Sequence, residues 1–102
     1  MSANAEMLAF FQTQRESYGR MLPERFARIY RLWTSLLHGG GDCDRHELER
    51  EAHSLAGSSG TFGWPEIGAA ARQLELAVTC GDEQAISEAI AVLEREFDIH
   101  AD

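Results

Sequence analysis

The sequence predicts an all-α fold: an antiparallel up-down four-helix bundle with an additional N-terminal helix. Three observations carry this reading. Apolar residues recur at three- and four-residue spacing almost throughout, runs of β-branched residues that would form strands are absent, and the connections between periodic segments are short, which makes successive helices antiparallel neighbours. A first helix is expected over about 4–20, with Met7, Leu8, Phe11 and Tyr18 on one side. Pro23 suits the first turn of a second helix, whose stripe is Leu22, Phe26, Ile29, Trp33, Leu36 and Leu37 and whose end is the glycine run at 39–41. Asp44 followed by Glu47 has the spacing of a capping box and would open a third helix over about 45–61. Gly63 and the Trp64-Pro65 pair break the chain and start a fourth, over about 65–80, with Ile67, Ala70, Ala71, Leu74 and Val78 inward. Gly81 and Asp82 supply a stop and a cap, and a last helix reaches about 98 with Ile86, Ile90, Leu93 and Phe97 inward. The reading is therefore one domain over 1–102, with its bundle core at about 21–98.

Composition narrows the function. The chain has 102 residues and a formal net charge of −8, which argues against nucleic acid, because binding a phosphate backbone needs clustered cations. All nine basic residues are arginine, so any phosphate contact must be made by a guanidinium. No apolar run approaches the ~20 residues of a membrane span, and the first residues lack the basic start and apolar stretch of a secretion signal. A cytoplasmic monomer without membrane insertion is the expectation. Cys43 and Cys80 are read as free thiols in such a compartment.

The stretch from Glu51 to Gly63, EAHSLAGSSGTFG, is the most informative. On a helical wheel Leu48, Ala52, Leu55, Ser59 and Phe62 fall within about 40° of one direction, the core side, and His53 lies about 140° away. The imidazole is thus expected outside the core. Its C-terminal neighbours on that face, Ala56, Gly57 and Gly60, are small and leave a cleared patch about two turns long. Gly60 and Gly63 also suit a helix end, so close approach and termination both remain open for them. If the third and fourth helices form an antiparallel hairpin, Glu75 and His53 lie about equally far from the turn and so face one another. A carboxylate accepting the Nδ1–H of an imidazole fixes its tautomer and leaves the Nε2 lone pair outward, which makes the histidine a nucleophile.

These residues resemble the histidine phosphotransfer (HPt) domains of two-component phosphorelays. The family pattern is a phosphorylated histidine followed by x-L-K-G, a glycine ten residues on, and an apolar-rich helix ending in L-E or a similar pair. His53, Leu55, Gly57, Gly63, Ile67, Leu74 and Glu75 match it. The resemblance implies a phosphoprotein of signal transduction, a carrier rather than an enzyme. In it, His53 Nε2 accepts a phosphoryl group from the phospho-aspartate of one receiver domain and passes it to the aspartate of another, while Glu75 orients the ring. It also implies receiver domains and a hybrid sensor histidine kinase as partners. No cofactor is implied on this chain; Mg²⁺ is expected on the partner receiver. The family's frequent lysine three residues after the histidine is Ala56 here, which leaves Arg50 and Arg72 as candidate phosphoryl contacts, Arg72 being preferred because the hairpin places it on the open flank. Ala56, Gly57 and Gly60 then form the open receiver-docking surface.

Two other readings compete. Ala56 in place of lysine suits a non-phosphorylated helical adaptor that binds receiver or kinase partners, although such an adaptor has little reason to retain His53, Gly57 and Glu75 together. A metal site drawing on His38, Cys43, His46 and His53 fits no recognisable zinc spacing, so no metal is expected.

Overall fold

Four helices account for most of the chain in the computed structural model, which describes residues 3–100. They are α1 (Ala3–Leu37), α2 (Asp42–Thr61), α3 (Pro65–Cys80) and α4 (Glu83–His100), and no strand occurs among the described residues. Their boundaries follow local chemistry. Pro65 occupies the first turn of α3, where its missing N–H costs nothing, and Gly81 ends that helix in the left-handed conformation at φ +74°, donating to the carbonyls of Ala77 and Val78. Asp82 caps α4, its Oδ1 accepting the backbone N–H groups of Gln84 (3.0 Å) and Ala85 (3.3 Å).

Three expectations need correction. No break separates an N-terminal helix from the next: α1 is one helix of 35 residues, with Pro23 inside it. An internal proline costs about 3 kcal/mol, since it lacks the N–H and crowds the carbonyl one turn back. Tertiary contacts upstream of Pro23 hold the helix together. Tyr18 stacks on Phe62 at 5.1 Å, Arg15 donates to the Gly63 carbonyl (2.9 Å), and the Trp64 indole donates to the Arg15 carbonyl (3.0 Å). Gly19 permits this approach, since a Cβ there would stand 2.6 Å from the Trp64 ring. Secondly, α2 begins at Asp42, with Gly41 as its cap residue, so Asp44 is not the cap. It accepts the Ser35 hydroxyl of α1 instead, and Glu47 pairs with Arg28 and Arg50. Thirdly, Met7, Leu8 and Phe11 do not face a core: they are more than half exposed, because α1, about 52 Å long at 1.5 Å per residue, outruns the shorter helices.

Cross-contacts define how the helices run. Between α1 and α2, Ser35 meets Asp44, Arg28 meets Glu47 and Glu51, Arg25 meets Ser54, and Tyr18 meets Ser58 and Ser59, so the two run antiparallel. Between α2 and α3, Arg45 donates to the Val78 carbonyl, His53 meets Glu75, and the backbone around Ala56 and Gly60 lies against Gly68. That second pairing is the most extensive, followed by α3 with α4, while α1 and α4 meet only briefly, with Phe26 and Phe97 4.6 Å apart. Ile29, Leu48, Leu55, Ile67, Leu74, Val78 and Leu93 are fully buried between the helices. At roughly 25 cal/mol per Å² this apolar burial is the main driving force of the fold.

Candidate functional site

The α2–α3 seam builds the site. Leu48, Ala52, Leu55 and Ser59 turn one side of α2 into the core, and the helical period then carries His53 to the surface, where its side chain is 74% exposed. Its Nδ1 lies 2.5 Å from Oε2 of Glu75, whose side chain is 21% exposed. An ionised carboxylate only accepts hydrogen bonds, so Nδ1 carries the proton, and in the neutral ring Nε2 then keeps its lone pair. Nε2 has no hydrogen-bond partner among the described residues, on a side chain that is mostly exposed. The ring is therefore fixed at one nitrogen and open at the other.

The register that joins these side chains depends on a close approach of two backbones. At Gly68 an added Cβ would meet the Gly60 nitrogen at 3.3 Å, the Ala56 carbonyl oxygen at 3.4 Å and the Ser59 Cβ at 3.5 Å. Gly57 and Gly60 have the opposite surroundings: a Cβ at either would meet nothing within 4 Å. Gly60 lies within α2, and the turn belongs to Gly63, at φ +89°. Gly57 and Gly60 thus leave open surface on the His53 side of the helix, while Ala56 is half-buried toward α3.

The two arginines singled out by sequence differ. Arg50 is 77% exposed and bound to Glu47 at 2.7 Å. Arg72 is exposed and makes no hydrogen bond or ion pair among the described residues. Arg25, missed from the sequence, lies on the other flank: its guanidinium donates to Ser54 Oγ (2.8 Å), Tyr18 OH (3.1 Å) and Ser58 Oγ (3.4 Å). Its place three residues beyond the inward Leu22 marks it as flanking the core, but of its acceptors only Tyr18 is on its own helix, and Ser54 and Ser58 lie about thirty residues further along the chain, where periodicity says nothing about pairing. No three His, Cys, Asp or Glu side chains are gathered as a metal site requires among the described residues, and Cys43 and Cys80 are exposed free thiols. No helix in the described part is long and apolar enough to cross a membrane.

Neither the curated proteins nor the solved structures yield a match. The family model described as Hpt domain matches residues 15–100, which takes in all of α2 and α3 together with the His53–Glu75 pair. An exposed, oriented imidazole on an all-helical scaffold, and a family match over most of the length, lead to one conclusion: the chain belongs to the Hpt domain family, the helical domains of histidine phosphotransfer in two-component signalling.

Proposed function

We propose that this chain, acting as one module over residues 1–102, is a phosphocarrier in which His53 Nε2 takes a phosphoryl group from the phospho-aspartate of one receiver domain and gives it to the aspartate of another. The observation that carries the reading is the exposed ring tied at Nδ1 to Glu75 with Nε2 open. In the forward step the Nε2 lone pair attacks phosphorus and an N–P bond forms. The acyl O–P bond breaks, its electron pair returning to the aspartate carboxylate. The Nδ1 proton stays in the His53–Glu75 hydrogen bond, so the positive charge acquired by the ring is met by the Glu75 carboxylate. The return step reverses each change.

Phosphoryl transfer is mainly positioning and charge neutralisation. A receiver and its Mg²⁺ supply most of that apparatus, and this chain supplies the nucleophile and a surface, at Gly57 and Gly60, that lets the partner come close. The test is incubation of the chain with a phosphorylated receiver domain. Acid-labile, base-stable phosphate should appear on the native chain and be lost in His53→Gln; label that persists in His53→Gln, or none on the native chain, refutes the reading. Failure of labelling together with retained receiver binding would support the second reading, a non-phosphorylated adaptor, which Ala56 favours.

A further inference from the structure

The outer end of α1 plays no part in the phosphocarrier site. Arg15 and Tyr18 tie the helix to the α2–α3 turn and to the end of α2, and residues 3–14 run on for about 18 Å at 1.5 Å per residue. Met7, Leu8, Phe10 and Phe11 stand on this overhang and are 54–63% exposed. At 100° per residue, Met7, Leu8 and Phe11 lie within about 60° of the direction that carries Tyr18, Leu22 and Ile29 into the core, so the core stripe continues in phase beyond the bundle. Beneath it an open groove of about 410 Å³ is lined by Leu8, Phe11 and Phe62. Glu6 is the one charged residue from 3 to 14, in a chain that is 25% charged. Loss of charge together with a concentration of Met and aromatic side chains is the composition of a protein–protein interface core.

We propose that the overhang is a homodimer interface, in which the α1 ends of two copies pack antiparallel about a twofold axis between residues 9 and 10. Reversal about that point sets Leu8 against Phe11 of the partner copy, and Phe11 against its Leu8, the two equivalent contacts that an isologous interface requires. The same register places Asn4 opposite Arg15 and Glu6 opposite Thr13, so polar residues meet polar residues and no like charges face one another. The four exposed apolar side chains offer roughly 400–500 Å² per copy. Two copies, with the groove lining, bury about 1,000 Å², the lower bound for a specific interface, and the dimer is accordingly weak and concentration-dependent. Composition and charge led to the expectation of a monomer; the uncovered stripe points to a pair.

Position separates this face from the receiver-docking surface. Arg25 of α1 meets Ser54 of α2, so His53 is level with about residue 26 of α1, some 22 Å along the helix from Phe11. A standard footprint of about 800 Å² centred on His53 has a radius of about 16 Å and stops short of the overhang's stripe. Pairing through the overhang therefore leaves both histidines open.

The test is sedimentation equilibrium of the whole chain from about 10 μM to about 1 mM. The native chain should rise from 11.4 kDa toward twice that mass. Leu8→Glu and Phe11→Arg should each weaken the dimer by about tenfold or more, because a charge is then set against an apolar partner. Both side chains are exposed in the single copy, so the circular dichroism of either variant should stay helical. Mixed in equal amounts, the two variants should recover the dimer: the introduced carboxylate faces the introduced guanidinium, and the second Leu8–Phe11 contact is native. A native chain that stays at 11.4 kDa up to about 1 mM, or single variants that dimerise as the native chain does, overturns the inference. So does a mixture that remains monomeric while the native chain dimerises, since the antiparallel pairing is then wrong. If the native chain is monomeric and Leu8→Glu weakens binding of a receiver domain, the face belongs to the receiver and the inference fails. Phosphorylation of His53 enters none of these measurements, so a failure of the phosphocarrier reading leaves them interpretable.

Discussion

Replacing Gly57 with alanine should make the protein more stable and a poorer phosphocarrier. Gly57 lies inside α2, four residues before its end, and an added Cβ would meet nothing within 4 Å. In such a position alanine gains about 0.5–1 kcal/mol over glycine, because the unfolded chain loses conformational freedom and the folded helix gains no clash. For a domain of this size that corresponds to a rise in melting temperature of roughly 2–8 °C. Gly57→Arg should retain most of this gain, arginine being a good helix former, and yet abolish transfer by obstructing the surface beside His53. Gly68 is the internal control. There a Cβ meets backbone at 3.3 and 3.4 Å, so Gly68→Ala should gain nothing, and Gly68→Val should cost about 1–3 kcal/mol by forcing α2 and α3 apart. The assay is thermal unfolding of each variant alongside the rate of transfer from a phosphorylated receiver. Destabilisation by Gly57→Ala would mean that the fold itself requires this glycine. A Gly57→Arg chain that still transfers at the native rate would show that the cleared surface is not where the receiver docks.

Two further outcomes are expected. Glu75→Ala should leave His53 as the labelled residue but slow transfer by about tenfold, since the ring loses the group that fixes its tautomer; ¹⁵N spectra of the imidazole should show both tautomers, and an unchanged rate would assign Glu75 to the surface. Pro23→Ala should stabilise the protein by about 1–3 kcal/mol by restoring a helical N–H inside α1, read as a higher urea midpoint at constant m-value; a lower midpoint would mean that the bundle depends on the proline's own geometry.

Much of the site was legible because the signals were local. Helical period alone separates His53 from Leu48, Ala52, Leu55 and Ser59, and the buried and exposed sides of α2 follow it. The α2–α3 hairpin was legible for the same reason: a three-residue turn holding Gly63 leaves little choice of register, so Glu75 could be matched to His53 by counting from the turn. The cleared patch was legible in part. Glycines 57 and 60 were visible, but which glycine faces solvent and which admits a neighbouring backbone was not; Gly68 proved to be the packing glycine.

By itself, then, the sequence determined the helical class, the outward histidine and its carboxylate, because those follow from periods of three and four residues and from one short turn. Tertiary structure decided the rest. Pro23 reads locally as a helix start, yet the anchoring of Arg15 and Tyr18 on the α2–α3 turn, with more than forty residues between them, carries α1 through it. Met7, Leu8 and Phe11 read locally as core, yet nothing in the bundle extends far enough along α1 to cover them. Arg25 reads as one surface arginine among nine, and only the packing of α1 on α2 brings the Ser54 and Ser58 hydroxyls to it, in addition to that of Tyr18 on its own helix. In each case the deciding free energy comes from contacts between residues distant in the chain, to which a local pattern is blind.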